Sequence, residues 1–290
     1  MNEWFELLQF DFMRDALMVG AMVAAMCAVL SCFLVLKGWS LMGDAISHAV
    51  LPGIVLAYIA GIPLAFGAFG AGLVCSTSIG FIKRNSRIKE DTVMGVVFTG
   101  LFAFGLVLFS RTPSDMHLDH ILVGNILGIG RSQLFQTMFL GGAVLIITLV
   151  LRRDLLLVCF DPGQARVMAL PDRFLNYLLL ALLSLAIVVS LQAVGIILVV
   201  AMLVTPGSIG HLWCDRFDRM IAVAVISAVL STLAGVFISF RIDGSTGACI
   251  VLLQALVFLI SLLFAPKHGL LRKKSRVVEN AIPFAGNTAR

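Results

Sequence analysis

Asp44 and His48 are the residues whose types and spacing most clearly suggest chemistry. They lie four residues apart at the start of a long apolar stretch, so a helix would present both side chains on one face. Pro52 has no N–H to donate to the carbonyl of His48. A carboxylate, an imidazole and a free carbonyl oxygen are ligands that suit a divalent cation. We predict a metal site at Asp44 and His48; the alternative is a helix-capping aspartate with a structural histidine and a proline kink.

A second polar segment, residues 114–120, contains two aspartates and two histidines within six positions. These side chains predict an entrance loop that attracts cations, and the alternative is an ordinary solvated loop. The four residues are Asp115, His117, Asp119 and His120.

A third segment, residues 152–173, connects two apolar runs and carries several charges. Asp161 immediately precedes Pro162, an order typical of a helix N-cap followed by the first helical turn. We therefore predict a short helix over residues 162–170 on the cytoplasmic face. It either docks a soluble partner or forms a structural turn. The residues at its start are Asp161, Pro162, Gly163, Gln164 and Ala165.

The elements that must position these residues are membrane-spanning helices. Of the 290 residues, 60% are hydrophobic and 13% charged, whereas soluble domains carry about 25% charged residues. Uncharged runs of roughly 20 residues or more predict an all-α integral membrane protein, a bundle of nine transmembrane helices. The number is eight if residues 45–61 are re-entrant. Pro206 is expected to break a further helix at membrane depth.

The basic residues indicate topology rather than nucleic-acid binding. The net charge is +5, but the basic side chains fall between the apolar runs, where they set orientation and contact lipid headgroups. With the carboxyl terminus inside, only four of the 21 basic residues face outward: Arg14, Arg111, Arg131 and Arg241. We predict a transmembrane domain over residues 1–265 and a basic, disordered cytoplasmic tail over residues 266–290.

The sequence lacks the motifs that identify several classes of enzyme. There is no Gly-Lys pair and hence no P-loop, no HExxH and no GxSxG. The six cysteines show no CxxC pattern. We therefore predict a conduit that is not itself an enzyme and binds no cofactor. Two rivals stay open: a gradient-driven transporter with Asp44 as its proton carrier, and an intramembrane enzyme using Asp44 and His48 on a lipid.

Four segments, in order, resemble the permease subunits of bacterial manganese/zinc/iron ABC importers, the ABC-3 family. Residues 37–53 (KGWSLMGDAISHAVLPG) resemble its signature, and residues 95–105 are similar to its fourth conserved span. Residues 118–128 look like its following re-entrant segment, and residues 193–206 resemble its late signature. The resemblance extends over roughly residues 10–265.

This resemblance implies a type II importer permease in the bacterial plasma (inner) membrane, paired with a second copy or a paralogue. It implies an extracytoplasmic metal-binding protein and a separate cytoplasmic ATPase that contacts the loop at residues 161–165. Asp44 and His48 match positions that coordinate metal in the pore. The sequence Ser-His-Ala-Val-Leu-Pro-Gly at residues 47–53 is similar to the manganese and iron branch, so the expected cargo is Mn²⁺ or Fe²⁺, with Zn²⁺ as the alternative.

Overall fold

The computed structural model of the protein describes residues 10–112, 128 and 130–265. The predicted entrance-loop residues Asp115, His117, Asp119 and His120 lie outside these ranges, as does the tail over residues 266–290. The described part of the chain contains twelve α-helices: α1 Asp11–Lys37, α2 Met42–Ala49, α3 Leu51–Ala60, α4 Leu64–Asn85, α5 Glu90–Arg111, α6 Arg131–Val150, α7 Arg152–Phe160, α8 Pro162–Val167, α9 Asp172–Val194, α10 Ile196–Trp213, α11 Phe217–Ile242 and α12 Thr246–Phe264.

The helices confirm an all-α membrane protein. In the described ranges, eight helical segments are long and apolar enough to cross a bilayer. One of them is Met42–Ala60, formed by α2 and α3 together, so the residues considered for re-entry have the length of a full span. A further apolar helix, α10, is shorter but packs inside the bundle against α1, α11 and α12. Nine transmembrane helices were expected, and the described ranges contain eight candidate spans together with α10 as a ninth apolar helix.

Helix α1 forms the centre of the bundle and packs against α6, α10 and α11. Its contact with α10 is close because Gly207 has no side chain. The Gly207 N–H donates a 2.9 Å hydrogen bond to the buried hydroxyl of Ser31. Pro206 was expected to break this helix, and that prediction is wrong, since α10 runs through it. Pro206 has no N–H for the carbonyl of Met202, and the helix continues because neighbouring helices pack around it, with Ser31 accepting from the adjacent Gly207 N–H.

The connection between α6 and α9 is more helical than the sequence suggested. The predicted short helix is confirmed as α8, although it ends at Val167 rather than at residue 170. Residues 152–160, expected to be loop, form α7. The physical reason is burial, because Leu155 and Val158 lie three residues apart and both are buried on the side of α7 that packs against its neighbours.

Candidate metal site at Asp44 and His48

The start of α2 is fixed by a tight turn that follows α1. Gly38 takes a left-handed conformation with φ 73°, which glycine adopts without steric cost. The next residue, Trp39, is buried, and the Lys37 ammonium lies 3.9 Å from the centre of its ring. Asp44 is then the third residue of α2, and the N-cap position, Leu41, makes no side-chain cap. Asp44 is therefore not the capping residue of the alternative interpretation.

Asp44 and His48 are in direct contact. His48 Nε2 lies 3.3 Å from Asp44 Oδ1, and the two side chains are 33% and 37% exposed respectively. The residues between and beside them, Ala45, Ile46 and Ser47, are buried. The pair therefore forms the polar, open side of a helix that is otherwise packed into the bundle.

The distance between His48 Nε2 and Asp44 Oδ1 is close to the distance between two ligand atoms that bind the same divalent cation. Zinc binds nitrogen and oxygen ligands at about 2.0–2.2 Å. If the two metal–ligand bonds meet at roughly a right angle, the two ligand atoms lie about 3 Å apart. The observed separation of Nε2 and Oδ1 is 3.3 Å. One ion could replace the direct contact between His48 and Asp44 with little side-chain movement. This geometry does not discriminate between Mn²⁺, Fe²⁺ and Zn²⁺.

Two aromatic residues of α5, Phe98 and Phe102, pack against the imidazole of His48. The ring of Phe102 lies edge-on to His48 at 5.4 Å between centroids, and Phe98 lies at 6.2 Å. These rings restrict the orientation of His48 and keep water from that face of the imidazole. Phe98 and Phe102 were not among the residues predicted from the sequence to form the site. Their spacing of four residues was a signal, but nothing local indicated that α5 packs against α2.

The break between α2 and α3 is held by close backbone contacts. Pro52 occupies the first turn of α3, so it cannot continue the hydrogen-bond ladder of α2. A Cβ built on Gly53 would lie 2.0 Å from the carbonyl oxygen of Gly67, and one on Gly105 would lie 2.8 Å from Pro52 Cδ. Helices α4 and α5 thus clamp the Pro52-Gly53 corner from two sides, and this fixes where α2 presents its polar face.

The described residues contain no cluster of three or more histidine, cysteine, aspartate or glutamate side chains that could hold a metal ion. Within the described ranges, the candidate site therefore has two potential ligands, Asp44 and His48. All six cysteines, which lie within the described ranges, are free thiols. The predicted entrance-loop residues lie outside the described part of the chain, so the attraction of cations by this loop stays a prediction.

The second predicted site lies in the connection between α6 and α9, at the start of α8. Asp161 Oδ1 accepts a 2.9 Å hydrogen bond from the backbone N–H of Gln164, which confirms the N-cap of α8. Ala165 is fully buried, so it anchors α8 to the bundle. By contrast, Val167 is 87% exposed and Met168 is 63% exposed. The last residue of α8 and the residue that follows it therefore present apolar side chains outward.

Comparisons with known proteins agree over nearly the whole chain. The family model described as the ABC 3 transport family matches residues 9–265. The chain is 55% identical over 268 residues to the chelated iron transport system membrane protein YfeD of Yersinia pestis, covering 91% of this chain and 90% of the relative. It is 51% identical over 271 residues to the manganese transport system membrane protein MntB of a Synechocystis strain, covering 93% and 89%.

A solved structure resembles the fold in detail. A chain of the structure described as PsaBC from Streptococcus pneumoniae in complex with Fab superposes with a TM-score of 0.84 at 39% identity, covering 94% of this chain and 99% of that one. Together with the family match over residues 9–265, this places the protein among the multi-pass permeases of the bacterial inner membrane, which are not themselves the catalytic subunits. The chain belongs to the ABC 3 transport family.

Proposed function

We propose that this chain is the membrane subunit of an ATP-driven importer that carries Mn²⁺ or Fe²⁺ into the cell. The relatives named for iron and manganese transport support this cargo. The ligand chemistry agrees, since carboxylate and imidazole suit first-row divalent ions. Zn²⁺ accepts the same ligands, so it is the alternative that the experiment below must separate.

The observation that carries the proposal is the half-open Asp44–His48 pair. Two ligands 3.3 Å apart, each about one third exposed, make half of a coordination shell. A second permease, either a copy of this chain or a paralogue, would bring an equivalent pair and complete the shell. The metal would then pass between the two subunits, and no single chain would hold it tightly. A transport site must bind modestly because the ion has to leave.

Transport further requires that the site open alternately to each side. An ATPase subunit on the cytoplasmic face would supply the energy, and a metal-binding protein on the outer face would deliver the ion. The exposed Val167 and Met168 beside the Asp161-capped turn offer an apolar contact for that ATPase. Movement of α8 would reach the bundle through α7 and α9, against which it packs. ATP binding would thereby shift the population between outward- and inward-facing states.

The test is metal accumulation in metal-starved cells that express the chain with its cognate ATPase and binding protein. Mn²⁺, Fe²⁺ and Zn²⁺ are offered together, and cell metal is measured by elemental analysis. Wild type is compared with Asp44→Ala at matched membrane levels. Asp15→Ala is the control, because Asp15 lies near the opposite end of α1 from the turn that leads into α2.

We expect Mn²⁺ or Fe²⁺ to accumulate in the wild type and in the control, and to fall to background in Asp44→Ala. Accumulation of Zn²⁺ alone would overturn the proposed cargo. Unchanged accumulation in Asp44→Ala would overturn the proposed site and leave Asp44 a structural role. Uptake that continues without the ATPase and collapses with a protonophore would instead support a gradient-driven transporter.

A further inference from the structure

Two adjoining cavities lie where α1 and α10 end and α7 and α11 begin. The larger has a volume of about 670 Å³, within the range of about 300–1,000 Å³ that is typical of ligand sites. Neither Asp44 nor His48 lines it. It is therefore separate from the proposed transport site, and the transport function leaves it unexplained.

The larger cavity is lined mostly by apolar side chains, and one side of it is formed by the packed core of the bundle. Leu36 from the last turn of α1, Leu157 and Phe160 from α7, and Met220 from α11 line it. Phe217, also in its lining, packs edge-on against Phe33 of the central helix at 4.9 Å between ring centroids. The larger cavity is thus bounded by the core on one side and by α7 on another.

The smaller cavity, of about 410 Å³, forms a basic mouth to the larger one. The two share Arg153, Leu156 and Phe217 in their linings. The smaller adds three more arginines and one aspartate: Arg152, Arg216, Arg219 and Asp218. Arg152 is paired with Asp218 at 3.2 Å, whereas the residues Arg153, Arg216 and Arg219 are exposed.

The acidic side chains that line the two cavities do not neutralise the positive charge of the four arginines. Asp215 and His211 line the larger cavity, and Asp218 lines the smaller. The four arginines therefore outnumber the two aspartates around the joined cavities. Topology alone places arginines at the cytoplasmic end of a membrane protein, but it does not require them to meet at the mouth of an apolar space between helices.

We propose that the joined cavities bind one anionic phospholipid from the inner leaflet. An acyl chain would occupy the apolar cavity, and the phosphate would lie between Arg153 and Arg216. Guanidinium groups suit phosphate because they donate two parallel hydrogen bonds. The site lies where the helices end, the level of the headgroups, and basic pockets between helices on this side of the membrane are suited to anionic lipids.

The ATPase subunit is the other macromolecule that approaches this face. An apolar space lined by α7 and by the adjacent ends of α1 and α11 fits a lipid chain better than a protein surface, so the lipid is the occupant we favour. Its binding would brace α7 against α11. Because α7 leads directly into α8, the bound lipid would stiffen the segment that we propose contacts the ATPase.

The proposal is tested on the purified full-length chain by native mass spectrometry, titrated with phosphatidylglycerol or phosphatidylcholine. We expect wild type to retain phosphatidylglycerol in preference to phosphatidylcholine. A basic residue near an anionic lipid contributes about a five-fold change in affinity, so Arg153→Gln with Arg216→Gln should weaken phosphatidylglycerol binding roughly 25-fold. The matched control is Arg87→Gln with Arg173→Gln, two exposed arginines that line neither cavity, and it should bind as wild type.

A second variant tests the apolar part of the site. Leu156→Trp fills the junction of the two cavities, so we expect phosphatidylglycerol to raise the Tm of wild type but not of this variant. Soluble glycerophosphate should not compete with the lipid. Equal retention of both lipids, an equal loss in the arginine control, or full competition by glycerophosphate would overturn the proposal. In a separate purification of the chain co-expressed with its ATPase subunit, arginine variants that keep the lipid but lose that subunit would also overturn the proposal and assign the surface to the ATPase.

Discussion

The crossing of α3 and α4 gives the sharpest quantitative prediction. A Cβ on Gly53 would lie 2.0 Å from the carbonyl oxygen of Gly67 and 2.6 Å from Ala71 Cβ. The first obstacle is backbone and cannot rotate aside. Ordinary contacts between heavy atoms lie near 3.5 Å, so Gly53→Ala requires α3 and α4 to separate by more than about 1 Å. The Pro52-Gly53 corner that positions α2 would move with them.

The free-energy cost of the clash in Gly53→Ala is partly offset by the higher helix propensity of alanine. Overpacking of a core, including the backbone shifts it forces, typically costs about 1–3 kcal/mol, and we take the upper value of about 3 kcal/mol because the obstacle is backbone. Alanine in place of glycine in a helix returns up to about 1 kcal/mol. The expected net loss is about 2 kcal/mol, which at about 2–4 °C per kcal/mol lowers Tm by roughly 4–8 °C.

The assay is thermal unfolding of the purified chain in detergent, with Gly70→Ala as the matched control. Gly70 lies on α4, and a Cβ there would meet nothing within 4 Å. Its Tm should equal or exceed that of wild type, because only the helix-propensity gain applies. A Gly53→Ala protein as stable as Gly70→Ala would refute the close crossing. A fall in both would show that the loss comes from changing glycine itself rather than from the clash.

Three further predictions concern single contacts. Ser31→Ala leaves the Gly207 N–H without its 2.9 Å acceptor and should cost about 1–3 kcal/mol in chemical unfolding. Asp161→Ala removes the cap of α8, at about 0.5–2 kcal/mol; metal uptake should fall at unchanged membrane level, and Asp161→Asn should restore most of it. Burial raises the pKa of the Cys159 thiol, while the charge of Lys37 acts to lower it. With less thiolate present, a protein containing only Cys159 should react with a maleimide more slowly than free cysteine at about pH 8, and Lys37→Ala should slow it further; a rate equal to that of free cysteine would contradict the burial.

The parts of the structure that local chemistry determines were predictable from the sequence. Long uncharged runs must be helices in a membrane, because every backbone polar group needs a partner there. The Asp161-Pro162 start of α8 followed from capping chemistry alone, and the observed hydrogen bond to Gln164 matches it. The shared face of Asp44 and His48 followed from helical periodicity.

The parts that tertiary contacts determine were not predictable. Helix α7 exists because Leu155 and Val158 are buried against neighbouring helices, which its mixed sequence does not reveal. Helix α10 continues through Pro206 beside a contact between Gly207 and Ser31, 176 positions apart. The two cavities beside α7 likewise join residues from α1, α7, α10 and α11, so no single segment of the sequence indicates them.

The central claim is that the transported ion binds His48 together with Asp44, and pulsed electron paramagnetic resonance tests it most directly. Mn²⁺ is bound to the purified permease with its ATPase subunit, and nitrogen modulation of the electron spin echo reports a coordinated imidazole. The claim predicts histidine nitrogen coupling in wild type and in His211→Gln, and its loss in His48→Gln. Undiminished coupling in His48→Gln, or its loss in His211→Gln alone, would contradict it.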